Sequence, residues 1–154
     1  MKELLEKQLV EKYPLIFSQR CEISCGDGWY TLIDTLCGII QGHIHSVERQ
    51  RTWALTKNAN PSQLLDTEPY DVPEPVVQVI AQQIKEKFGT LRFYTTGGDG
   101  YIHGAIHMAD TMSEHICEEC GNVGKRRPGS WIRTLCDQHF VATALGADSG
   151  FLDN

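Results

Sequence analysis

Cys117, Cys120, Cys136 and His139 are the residues of this chain whose types and spacing point most directly to chemistry. They form two pairs, Cys117-Glu118-Glu119-Cys120 and Cys136-Asp137-Gln138-His139, each with two residues between the ligands and with fifteen residues between the pairs. Thiolate and imidazole are the donors Zn²⁺ prefers, and three cysteines with one histidine make a common closed tetrahedral set. A Cys-x-x-Cys turn followed by Gly121 lets two sulfurs face one point, with backbone N–H groups free to bond to them. Four protein ligands leave no coordination position for water or substrate, so the zinc expected here is structural and not catalytic. The competing reading is a group of buried free cysteines with His139 bonded to the backbone; the paired spacing favours zinc.

These ligands need elements to hold them. The second pair opens an apolar run, Phe140 to Leu145, that reads as a short helix ending at Gly146. A knuckle, a hairpin and a helix carrying the last two ligands predict a treble-clef-like module over about residues 115–146. Ahead of it, Ile102, Ile106, Ala109, Met112 and Ile116 mark an amphipathic helix over 100–116. Thr90 to Thr96 is β-branched and aromatic and predicts a strand. Its partner is less plain, because Ile80, Ile84 and Phe88 fall at helical steps. Ile84, Glu86 and Phe88, followed across Gly89-Thr90 by Leu91 and Phe93, suit a hairpin instead, and a hairpin over 78–96 is expected.

Further upstream, Leu4, Leu5, Leu9 and Val10 predict a helix over 2–12 stopped by Pro14. Cys21 to Trp29 reads as a loop, with Asp27 capping a second helix over 28–47 or beyond and Trp53 near its end. Trp29, Leu32, Ile33, Leu36, Ile39 and Ile40 supply that helix's apolar stripe. Between Asn58 and Pro75 lie four prolines and three acids before Glu74, which predicts a surface connection with one helical turn at Pro61–Leu65. The expected fold class is α+β, with a core domain over 1–114 and a zinc-binding module over 115–154 packed on it.

Composition narrows the function classes. The 154 residues are 41% hydrophobic and 22% charged, which argues against disorder. Twenty acids against fourteen bases give a formal charge of −6, which disfavours a protein that coats nucleic acid through general basicity. No apolar run approaches the roughly 18 residues of a membrane span, so no membrane partner is expected. The acid-containing start of the chain does not read as a signal peptide. Six cysteines then suggest metal or buried thiols in a reducing cytoplasm.

One local feature runs against the global charge. Lys125, Arg126, Arg127 and Arg133 lie between the two ligand pairs with no acid among them, and Trp131 is alongside. The set suits contact with a partner or with phosphate. Equally, the cations offset a three-thiolate zinc centre and Trp131 packs on the module. Other candidates are weaker. His103, His107 and His115 share a helix face without a carboxylate or thiol to complete a site, and His43 and His45 suggest nothing. Cys21, Cys25 and Cys37 read as small buried residues beside the second helix. Gly97-Gly98-Asp99-Gly100 lacks the lysine of a phosphate loop and reads as a turn. No hydrolase or kinase signature appears. A nuclease built on the same scaffold needs a further catalytic histidine inside the hairpin-helix unit; beyond His139 that unit has none, and His115 lies just before it.

The stretches YPLIF (13–17), ISCGDGWYTLIDTLC (23–37), QIKEKFGTLRFYTTGGD (83–99), CEECGNVGK (117–125) and GSWIRTLCDQH (129–139) occur in an order that resembles a family of small bacteriophage and prophage proteins. The resemblance spans most of the chain, with 58–75 least alike. It implies an accessory protein of the bacterial host cytoplasm whose zinc-finger-like positions are Cys117, Cys120, Cys136 and His139. The leading expectation is a zinc-stabilised protein acting by contact on a host protein, as a takeover factor or an inhibitor of a defence system. A nucleic-acid-binding module using residues 125–133 is the second. A nucleotide-signal binder or enzyme near Gly97–Tyr101 and Arg92 is the third.

Overall fold

The computed structural model describes residues 1–60, 68–129 and 131–148, with backbone alone for 144–148. The expected turn at Pro61–Leu65 lies outside the described residues. The elements run α1 (Glu3–Lys12), β1 (Glu22–Ser24), a 3₁₀ turn (Asp27–Trp29), α2 (Tyr30–Asn58), β2 (Ile80–Lys87), β3 (Thr90–Thr96), α3 (Gly100–Ser113), β4 (Lys125–Arg127), β5 (Arg133–Leu135) and α4 (Asp137–Asp148). The mixed helix and sheet architecture is that of an α+β fold.

Helix α2 organises the core. Leu32, Ile33, Leu36, Cys37 and Ile40 recur at helical spacing and are buried, and Trp29 is fully enclosed just before them. The helix continues well past Val47 to Asn58. There the Asn58 side chain brackets Tyr70, donating to its carbonyl and accepting from its N–H. Trp53, half exposed near that end, meets the Tyr70 ring edge-on at 4.7 Å. The expected cap at Asp27 does not form. Trp29 occupies the N-cap position without a side-chain bond, because the intervening 3₁₀ turn displaces the start of α2. The Asp27 carboxylate instead accepts the Lys2 backbone N–H and pairs with its ammonium group, tying the start of α1 to this corner.

The hairpin expected over 78–96 is present as β2 and β3, and the loop at Cys21–Trp29 also contains a strand. β1 pairs parallel to β2 with Ile23 beside Ile84, which makes a three-stranded sheet in the order β1-β2-β3. A three-residue strand is too short to show alternation, so no periodicity marks it. The β2–β3 register shifts between Ala81 and Gln83. This bulge lets both Ala81 and Ile84 face the core at a spacing a regular strand does not permit. Lys87 pairs with Thr90, so the turn is Phe88-Gly89, one residue earlier than expected. Phe88 therefore leaves the apolar face of the hairpin and stands at its tip, 62% exposed.

Helix α3 begins at the glycine-rich turn, where the Asp99 carboxylate accepts the Ile102 N–H as an N-cap. Ile102 and Ala109 are buried, but Met112 is exposed. Ser113 takes the inward position, its hydroxyl accepting the Leu91 N–H. Arg92 and Asp110 form an ion pair that ties β3 to α3. Cys25 and, within α2, Cys37 are buried and Cys21 is partly so, as small apolar side chains of the core.

Candidate metal centre

The metal-binding candidates sit on three short pieces of chain: the turn after α3, the β4–β5 hairpin and the first turn of α4. The turn closes because the Gly121 N–H donates to the Cys117 carbonyl and the Cys117 N–H donates to the Asn122 carbonyl. Gly121 has φ +77°, a conformation that side chains resist, and this folds the knuckle tightly. β4 and β5 pair antiparallel, which returns Cys136 to the knuckle, and α4 then carries His139 one turn on. α4 passes through Gly146, where the sequence predicted its end, and reaches Asp148. A glycine in a helix costs only about 1 kcal/mol, too little to stop one.

Cys117, Cys120, Cys136 and His139 all come together, with one ligand atom from each lying within 4.8 Å of the others. The Cys120 and Cys136 sulfurs are 3.9 Å apart, and His139 Nδ1 lies 3.2 Å from Cys136 Sγ and 3.5 Å from Cys117 Sγ. Zinc–sulfur bonds of about 2.3 Å and zinc–nitrogen bonds of about 2.0 Å at tetrahedral angles require separations of about 3.5–3.8 Å. The donor set and its closeness are compatible with a single metal site. Burial alone raises the Cys117 thiol, but N–H groups of Cys136, Cys120 and Glu119 directed at its sulfur outweigh that and bring it down to about 7. A metal there meets a ligand close to its thiolate form. Among the described residues this is the one such cluster, and His103, His107 and His115 are exposed and take no part in it.

The basic residues between the ligand pairs are mostly committed within the module. Arg133 binds Glu118 and Glu119, while Lys125 and Arg127 share Asp137. Arg127 also lies over the Phe140 ring at 4.6 Å. The acids that answer these cations sit beside the metal ligands in sequence, outside the window in which the loop looks purely basic. Arg126 points the other way and donates to the Phe88 carbonyl at 2.9 Å. Trp131 is 71% exposed, and its indole N–H donates to Glu86 at 3.1 Å.

Three features escaped sequence reasoning. Glu118 is 5% exposed, and its carboxylate accepts the Gly26 N–H and the Arg133 guanidinium, making it the polar hinge between module and core. Its neighbours Gly26 and Gly28 lie so close to the module that an added Cβ meets the Glu118 or Cys117 carbonyl at 2.2 Å. His43 stacks on Tyr101 at 4.2 Å and bonds Asp99 at 2.7 Å, which pins α2 to the start of α3. The third is the turn tip: a Phe-Gly pair flanked by two strand-like runs was its available signal, since a two-residue hairpin turn ordinarily places Asn or Asp before the glycine.

No family model matches this chain, and no match to it is found among curated proteins or solved structures. No helix among the described residues is long and apolar enough to cross a membrane.

Proposed function

We propose that this chain is a zinc-stabilised binding protein, with zinc held by Cys117, Cys120, Cys136 and His139 in a treble-clef-like module. The observation that carries the reading is the four-donor cluster itself. Its distances suit a closed tetrahedral ion, and four protein ligands leave nothing open for chemistry. The ion's task is then to fold the module, for which structural zinc contributes on the order of 10–16 kcal/mol in small finger peptides. The polar residues around it are bonded to one another and to the core, so the module acts as a rigid platform. Contact with a host protein, in the setting the phage-like sequence pattern implies, is the task we propose for that platform.

The test has two parts. Native protein purified without chelator is expected to carry one zinc per chain, released with loss of structure when a strong chelator is added. Affinity capture from bacterial lysate is expected to retain a protein partner after nuclease treatment. Absence of zinc removes the first half of the reading. Recovery of nucleic acid alone, lost at moderate salt, replaces the second half with a phosphate-contacting role for Lys125, Arg126, Arg127 and Arg133.

A further inference from the structure

The tip of the β2–β3 hairpin is built against the interests of folding. Phe88 adopts φ +54°, and Gly89 follows at +81°, so both central residues of the turn are left-handed. Glycine or asparagine takes that first position readily, whereas a bulky aromatic is strained there. The same residue also leaves its ring in water, 62% exposed. Backbone and side chain are thus both held in unfavourable states, and such states persist only when surrounding contacts enforce them.

The enforcing contacts come from the metal module. Arg126 donates to the Phe88 carbonyl, and the Thr134 hydroxyl donates to the Gly89 carbonyl at 2.6 Å. Glu86 accepts the Gly89 N–H through one oxygen and the Trp131 indole N–H through the other. Trp131 and Phe88 both line a cleft of about 460 Å³, together with Ile132. Lys85 and Lys87 line the same cleft, and among the described residues neither pairs with a carboxylate.

We propose that the cleft between Phe88 and Trp131 is the docking site for an acidic protein segment bearing one large apolar anchor side chain. The proposal rests on the metal-stabilised reading above, because the module sets both walls. An aromatic or long aliphatic side chain fills the space between the two exposed rings, as interface anchors do. Acidic residues flanking it meet Lys85 and Lys87, a local positive rim on a chain of net charge −6. Glu86 faces the cleft too, but both its oxygens are engaged. A nucleic-acid strand suits the surface less well. A long polyanion meets the repulsion of the whole acidic chain.

The test is selection from a random-sequence peptide display library on the zinc-loaded full chain, with labelled oligothymidylate as the competing probe. Enriched peptides are expected to share a large apolar residue set among aspartates and glutamates. They are expected to bind at least about tenfold more weakly to Phe88→Gly and to Trp131→Ala. Charge reversal at Lys85 and Lys87 should weaken them as well, and chelation should abolish binding. Phe88→Gly is expected to raise Tm, a gain that a purely structural Phe88 does not give. No enrichment, binding retained by both variants, a fall in Tm for Phe88→Gly, or preference for oligothymidylate each overturns the proposal. So does a concentration-dependent dimer lost in both variants, which assigns the cleft to a second copy. A chain that holds zinc and melts on chelation, yet selects no peptide, loses only the docking site. A chain without zinc loses the earlier reading whatever the peptides do.

Discussion

Around α2 the chain closes over Trp29, Ile33, Ile40, Ile84 and Ile102, all fully buried, whereas among the described residues from Cys117 to His139 the buried side chains are only Cys117, Glu118, Thr134 and Leu135. Each large apolar side chain in the first region contributes about 1.5–3 kcal/mol by leaving water. The second region has far fewer, and under the proposed reading ligation would supply what burial does not. The cysteines show the same contrast. Burial pushes the Cys25 thiol up to about 12 and raises Cys37 as well, so these behave as small apolar groups. Cys117, ringed by N–H groups, is drawn down to about 7 and stands ready for a cation.

Removing the metal is the largest perturbation of that contrast. Chelation, or Cys136→Ser, should cost on the order of 10 kcal/mol of ligation. Amide hydrogen exchange is expected to show protection lost across residues 117–139 while α2 and the β2–β3 hairpin stay slow. If both regions lose protection together, burial and ligation are not separable here. Trp29→Ala comes next, at about 3–5 kcal/mol in a denaturant melt. Because the Trp29 indole N–H donates to the Ile116 carbonyl at 2.9 Å, this change should also speed zinc loss, joining the two regions in one variant.

Gly28→Ala probes the seam with a smaller effect, about 1–3 kcal/mol from overpacking. The new methyl would meet the Cys117 carbonyl at 2.2 Å and the Gly121 nitrogen at 2.4 Å, so the knuckle must shift. Gly42→Ala is the matched control: nothing lies within 4 Å of its added Cβ, and inside α2 the change should stabilise by up to about 1 kcal/mol. Chelator-driven zinc release followed by absorbance is expected to be faster in the first variant and unchanged in the second. Equal rates in both would mean that the seam does not brace the metal site.

The legible parts of this molecule were those in which one short-range rule decided the outcome. Ligand spacing placed all four donors at one point, and the apolar stripe of α2 is buried at every predicted position except Ile39, which is half-buried. What escaped were features set by partners distant in sequence. β1 exists because Ile23 finds Ile84, sixty-one residues on, and its three residues carry no pattern of their own. Asp27 looked like a cap for α2 but was taken by Lys2, and Asp99, read only as part of a turn, became the cap of α3. The basic loop looked unpaired because Glu118, Glu119 and Asp137 lie just outside it. Phe88 leaves the expected strand face because Lys87 pairs with Thr90, which sets the turn one residue earlier than the alternation of Ile84, Glu86 and Phe88 suggests.

The smallest effect concerns that α3 cap and separates two responses to acid. Burial alone raises the Asp99 carboxyl, but hydrogen bonds from His43 and from the N–H groups of Ile102 and Tyr101 outweigh it and hold the group below its ordinary value. A carboxyl depressed in the folded chain adds stability above its unfolded value, near about 4, and loses that contribution as pH falls through the lower folded value. Asp99→Ala should therefore cost about 1 kcal/mol at neutral pH, the usual worth of a cap, with the gap to the parent narrowing below about pH 4. Asp99→Asn retains a cap oxygen without the charge and should show a smaller gap. Acid also strips zinc by protonating its ligands, so the readout is the variant-minus-parent difference in urea midpoint, in which loss of metal cancels. A gap that stays constant on acidification would locate the contribution of Asp99 in cap geometry alone. A gap that closes would show α3 responding to acid through one carboxylate, independently of the thiolates that govern the neighbouring module.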